Sequence, residues 1–183
     1  MAERPDTREL LLLRHGIAEE RDPGASSEQE AARPLTTQGR RRTRAVLERF
    51  KAAGLRADRL LSSPLQRACQ TAELAIAAGM AEGLELAEPL APGGDSLALL
   101  ESLWGLEWQG PAWNSLLLVG HEPDLGLLAA RLLGAPEGSL SLKKAGLALL
   151  HVPPREAWRH PRMAGNAQLK ALLTPQLVLQ EQR

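Results

Sequence analysis

Leu10 to Leu13 is an uninterrupted apolar run of strand length, and Arg14-His15-Gly16 follows it at once. A half-buried strand alternates apolar and polar residues. A run without alternation reads as a strand covered on both faces, as in a parallel sheet flanked by helices. Further strands are expected around Leu60-Leu61, around Leu84-Glu85-Leu86, from Ser115 to Val119 and from Leu147 to Val152. Trp158 is expected on a last, edge strand.

Helical segments alternate with these runs. One begins near Thr36 or Thr37, carries Val46, Leu47 and Phe50 at helical spacing, and stops at Gly54. Ser63-Pro64 reads as N-cap plus proline at the first helical position. That helix runs through Ala68, Ala72, Ala75 and Ile76 to Gly79. A short helix is capped by Asp95 or Ser96, and another runs from Pro123-Asp124 to Leu132-Leu133, closed by Gly134. The polar stretch from Glu19 to Arg33 reads as an exposed loop. The expected fold is a three-layer α/β sandwich with a mostly parallel central sheet, helices on both faces and no cap domain. Residues 1–183 are expected to form one domain, with a flexible leader at 1–8 and a weakly helical tail at 166–183, interrupted by Pro175.

The chain has 183 residues with 37 Leu, one Phe and no Tyr, so its core must be built from Leu and Ala, which favours helices. Lys+Arg and Asp+Glu are both 22, giving zero formal charge. That argues against a general binder of nucleic acid or of anionic membranes, yet leaves room for a locally basic pocket. Cys69 is the only cysteine, which excludes an intrachain disulfide and a cysteine-based zinc cluster. No apolar run approaches the ~18–20 residues of a membrane span. Met1 to Glu9 is charged and lacks the apolar core of a secretory signal. The expectation is a reduced, cytoplasmic protein, monomeric by default.

Arg14-His15-Gly16, Ser62-Ser63-Pro64 with Arg67, and Gly120-His121 each end or follow an expected strand. In open α/β sheets ligands bind at the carboxyl ends of the strands, so all three segments would share one rim. Two Arg and two His converging there suit a phosphoryl group. Arg presents planar donors that match phosphate oxygens and stays charged at any working pH. Arg67 would also lie in the first turn of its helix, where the dipole favours an anion. A neutral imidazole is a competent nucleophile toward phosphorus. His15 attacking phosphorus, with Arg14, Arg67 and His121 around the oxygens, is a coherent mechanism. Each motif alone is weak, and the joint placement after three strands carries the inference.

Leu12-Leu13-Arg14-His15-Gly16, the run from Ser62 to Ala72, and Val119-Gly120-His121 resemble the three signatures of the histidine phosphatase superfamily, with its phosphoglycerate-mutase-like fold. Arg33-Pro34-Leu35-Thr36-Thr37-Gln38-Gly39 and the small size are similar to its SixA-type phosphohistidine phosphatase branch. The resemblance covers roughly Leu10 to Val152. It implies a covalent phosphohistidine on His15, phosphate clamping by Arg14 and Arg67, transition-state stabilisation by His121, and no metal or organic cofactor.

Larger members of the family insert a helical cap and usually carry a carboxylate there as general acid. Only about 30 residues separate Leu86 from Ser115, too few for a cap plus its connections. Glu88 and Asp95 are the nearest carboxylates, read first as a solvated loop residue and a helix N-cap. A phosphohistidine needs a strong acid less than an alkyl phosphate does. Its protonated ring leaves as neutral imidazole, whose conjugate acid has a pKa near ~6.5. The expected substrate is therefore a phosphohistidine-bearing protein. The alternatives are a small phosphomonoester and, from another class, a non-catalytic phosphate-binding module, against which the presence of His15 speaks. The position after Arg-His-Gly is acidic in several members and is Ile17 here; Glu19 and Glu20 read as solvated loop charges. Arg33 and Gly16 are possible substrate contacts, Arg33 equally a residue that caps the turn at Pro34. Lys143-Lys144 reads as a solvated loop end, and Trp104, Trp108 and Trp113 as packing residues.

Overall fold

The computed structural model describes residues 7–104, 113–154, 157–159 and 163–180. Strands β1 (Arg8–Arg14), β2 (Arg59–Ser62), β3 (Glu85–Leu86), β4 (Ser115–Gly120), β5 (Leu147–Val152) and β6 (Gln168–Leu173) form one sheet in the order β3-β2-β4-β1-β5-β6. The pairs β1–β4, β2–β4 and β2–β3 are parallel, whereas β5 runs antiparallel to both β1 and β6. Five of the six strands thus point the same way.

The leucine run behaves as its lack of alternation demands. Leu10 and Leu12 enter a cluster with Leu116, Leu118, Leu128 and Leu150 on one face of the sheet. Leu11 and Leu13 join Val46, Leu47, Phe50, Ala68 and Ala72 on the other. All four are fully buried. Each such side chain stabilises the fold by roughly 1.5–3 kcal/mol.

Helices α2 (Thr37–Ala52) and α3 (Gln66–Ala77) cover the second face, and α4 (Ser96–Trp104) and α5 (Asp124–Leu133) the first. Thr36 caps α2 by accepting from the Gly39 N–H at 2.8 Å, and Gly134 closes α5 in the left-handed conformation, φ 68°. The β3–β4 connection contains a 3-10 turn at Glu88–Leu90 and then α4. Leu100, Leu103 and Trp104 bury α4 against the sheet, so it is a layer of the sandwich and not a lid. Among the described residues there is no cap, and no helix is long and apolar enough to cross a membrane.

The structure corrects several readings. Glu19 to Arg33 is not all loop: α1 (Ser27–Ala31) is held by a capping box between Ser26 and Gln29. Ser63 is not the N-cap of α3, which starts at Gln66 without a side-chain cap. Arg8, assigned to the leader, is the first residue of β1; residues 1–6 lie outside the described residues. Trp158 is not on a strand; its indole donates to the Pro153 carbonyl at 3.0 Å. The edge strand is β6, inside the segment read as a tail, which then forms the short helix α6 (Pro175–Leu179). Its pattern QLKALL is apolar enough to pair with β5 but too irregular to announce a strand.

Trp104 and Trp113 pack edge to face at 4.4 Å, with the Arg8 guanidinium over Trp113. They are packing residues, as expected; Trp108 lies outside the described residues.

Candidate active site

The parallel register brings the three motifs flush at one rim. Ser62 pairs with Val119, Val119 with Leu13, and Gly120 with Arg14. Beyond the strands, the His15 N–H donates to the Gly120 carbonyl at 3.0 Å and the Ser63 N–H to the Val119 carbonyl at 2.9 Å. His15 and His121 face each other with ring centroids 5.0 Å apart. Both rings are buried, as is Arg67, while Arg14 is half-buried. The structure therefore unites all four residues singled out as the core of the site.

The His15 tautomer follows from one hydrogen bond. Its Nδ1 lies 2.7 Å from the Gly16 carbonyl, which can only accept. Nδ1 thus carries the proton, and in the neutral ring the lone pair sits on Nε2. Burial, reinforced by His121, Arg67 and Arg14, lowers the His15 pKa to about 3 against the pull of the Gly16 carbonyl. Burial, then Arg67, Arg14 and Arg33, lowers His121 to about 4, while Glu30 opposes. Both imidazoles are neutral at pH 7.

Arg14 Nε, Arg67 Nε and His121 Nδ1 are buried without a hydrogen-bond partner. Unpartnered buried polar groups are costly, and two guanidinium N–H groups beside an imidazole nitrogen at one rim fit an incoming oxyanion. Arg14 is anchored by donating through Nη1 to the Leu142 carbonyl at 2.8 Å. Arg67 donates through Nη1 to the Glu30 carbonyl at 3.0 Å and pairs with the Glu30 carboxylate at 3.2 Å.

Sequence reasoning missed three residues of the site. Ser63 Oγ lies 2.8 Å from His121 Nε2. Thr71 Oγ1 accepts from the Gly16 N–H at 3.0 Å and donates to the Arg67 carbonyl at 2.8 Å, tying the first motif to the second. Glu30 binds both Arg67 and Arg33. Ser63 and Thr71 stand inside the second motif, but nothing in their spacing assigns a role. The Ser26-x-x-Gln29 capping box was the available signal for the helix that presents Glu30.

The remaining candidates are placed as follows. Arg33 is held by the Glu30 carboxylate, at 3.0 and 2.7 Å, and by the Glu19 carbonyl at 2.6 Å. Gly16 acts through its backbone, and a Cβ there would overlap Thr43 Oγ1. Asp95 caps α4 by accepting from the Ala98 N–H at 3.0 Å. Glu88 is exposed on the 3-10 turn after β3, and Glu19 and Glu20 are exposed. Hydrogen bonding by Arg33 holds the Glu30 carboxyl below its ordinary pKa, the wrong direction for a general acid. Among the described residues, no cluster of His, Cys, Asp and Glu could hold a metal ion.

Fold and site together define a hydrolase acting on phosphoryl groups. The family model for the histidine phosphatase superfamily (branch 1) matches residues 10–89. The chain is 30% identical over 125 residues to the phosphohistidine phosphatase SixA of Escherichia coli, spanning 68% of this chain and 73% of that protein. It is 41% identical over 140 residues to an uncharacterised protein of Picosynechococcus, covering 76% and 82% of the two chains. The structure of the protein histidine phosphatase SixA complexed with tungstate superimposes with a TM-score of 0.70 at 25% identity, covering 91% of this chain and 97% of that one. The chain belongs to the histidine phosphatase superfamily, in its SixA-type branch.

Proposed function

We propose that the chain hydrolyses phosphohistidine on a protein, through a covalent phosphohistidine on His15. The observation that carries the reading is the fixed tautomer of His15, with its Nε2 lone pair among the unpartnered donors of Arg14, Arg67 and His121. The similarity to SixA, a phosphohistidine phosphatase, and the tungstate bound in the SixA structure support it, since tungstate is a tetrahedral oxyanion.

In the first step His15 Nε2 forms a bond to phosphorus, and the phosphorus–nitrogen bond of the substrate breaks. The electron pair stays on the substrate imidazole, which departs neutral because its other nitrogen already carries a proton. Arg14 and Arg67 hold the equatorial oxygens. His121 Nε2 and Ser63 Oγ share a hydrogen bond of 2.8 Å; in the tautomer in which the hydroxyl donates, the His121 proton sits on the otherwise unpartnered Nδ1 and serves the same oxygens.

The Gly16 carbonyl retains the Nδ1 proton of His15 throughout. The phosphorylated ring is therefore cationic and is itself a good leaving group. In the second step water attacks phosphorus, His15 departs as neutral imidazole, and the proton of the water goes to the released phosphate. Neither step requires a strong acid. That agrees with Asp95 committed to a cap and Glu30 held ionised. The open rim, without a cap among the described residues, leaves space for a side chain on a protein surface.

The test is acid-labile, base-stable labelling from a phosphohistidine protein, alongside a panel containing aryl and sugar phosphates. His15→Ala is expected to lose both label and turnover. Label persisting in that variant removes His15 from the mechanism, and faster turnover of a sugar phosphate favours a small phosphomonoester.

A further inference from the structure

A pocket of about 440 Å³ adjoins the phosphoryl site and shares Arg14 with it. Arg42, Lys143 and Lys144 surround it, Ile17 and Pro175 supply apolar wall, and among the described residues no carboxylate lines it. Such a concentration of cations in a chain of zero formal charge is a local design of the surface. Lys143 and Lys144 are exposed, as a solvated loop end would be, yet their turn is not loosely attached.

The Ala145 N–H donates to the carbonyls of both Arg14 and His15, each at 3.1 Å, and the Arg14 N–H donates to the Gly146 carbonyl at 3.1 Å. On the other side, Leu142 receives Arg14 Nη1 on its carbonyl and donates its N–H to Glu122, next to His121, at 3.0 Å. Ala145 adopts φ 59°, a left-handed conformation unusual for a residue with a Cβ and kept only where surrounding structure enforces it. The lysine backbone is thus fixed relative to both histidines.

We propose that this pocket is a second anion subsite, which takes an Asp or Glu side chain flanking the phosphohistidine of the protein substrate. The proposal deepens the phosphohistidine reading and rests on it. The subsite selects among substrates by binding: the carboxylate enters beside Arg14 and is held by Lys143 and Lys144, while the phosphoryl group meets His15. The apolar wall suits the methylenes of the same side chain.

The experiment uses two phosphohistidine peptides identical except that one has Asp or Glu beside the phosphohistidine and the other Asn or Gln. Phosphate release is measured for the wild type and for the Lys143→Gln/Lys144→Gln double variant. The expected wild-type preference in kcat/KM for the acidic peptide is roughly threefold to thirtyfold, carried mainly by KM. It should shrink toward unity in the double variant, and also in 0.5 M salt, where screening shortens the reach of exposed charges.

No preference in the wild type, or a preference that survives in the double variant, overturns the subsite. If the wild type cleaves neither peptide but does cleave aryl phosphates, the phosphohistidine reading fails separately. The pocket is then judged by the same ratio on carboxylated against uncarboxylated aryl phosphates, with the same two outcomes deciding.

Discussion

Acid should destabilise this fold through His15, by an amount the structure sets. An unfolded histidine titrates near ~6.5, whereas His15 in the folded chain titrates at about 3 because it is buried beside His121, Arg67 and Arg14. Between those values the unfolded chain binds a proton that the folded chain refuses. Stability from neutral His15 is therefore complete above about pH 6.5 and is lost as pH falls toward 3. One pH unit of that linkage is about 1.4 kcal/mol, so at pH 4 the loss from His15 relative to pH 7 is on the order of 3 kcal/mol.

Replacing the ring by a group that does not titrate removes this contribution. His15→Gln is expected to lose about 3 kcal/mol less than the wild type between pH 7 and pH 4. The measurement is urea unfolding at both pH values, followed by far-ultraviolet circular dichroism. Ring resonances of His15 in a parallel NMR titration should move near pH 3. Parallel loss of stability in the two proteins, or a His15 titration near 6.5, would refute the claim that burial keeps this imidazole neutral.

Other substitutions probe the scaffold of the site. Arg67→Ala should keep the fold, weaken inorganic phosphate or tungstate binding in calorimetry, and lower kcat/KM by roughly 10²–10³. Thr71→Val leaves the Gly16 N–H buried without its acceptor, so thermal and urea unfolding should show about 1–3 kcal/mol of destabilisation. Gly16→Ala sets a Cβ against buried Thr43, which pushes back on the Gly16 backbone and so on the carbonyl that orients His15; kcat should fall with a stability loss of about 1–3 kcal/mol. Glu30→Gln removes a charge that raises the His121 pKa, and NMR titration should find that pKa lower still.

Much of the site was legible because its residues stand next to strand ends. Once Leu10–Leu13, Leu60-Leu61 and Ser115–Val119 are read as strands of one parallel sheet, Arg14, His15, Ser62, Gly120 and His121 must gather at one rim. Arg67 follows because it lies in the first turn of the helix after β2. Glu30 was hidden for the opposite reason: it comes from a polar stretch whose position over Arg67 depends on ion pairs, not on hydrophobic pattern. Ser63 reads as a helix-start signal, yet its hydroxyl meets His121, which follows the end of β4 and lies 58 positions further along the chain.

The sequence by itself determined the layers, since an unbroken leucine run can be buried only between two helical faces. It also marked the candidate site, because Arg and His gathered at neighbouring strand ends suit an anion. The tertiary structure alone decided that His15 donates to the Gly16 carbonyl, that Thr71 joins two motifs, and that β6 and α6 come back to complete the sheet and wall the Lys143-Lys144 pocket. Those features depend on distances between segments far apart in the chain. Hydrophobic periodicity records which face is buried but not which atom another segment will meet there.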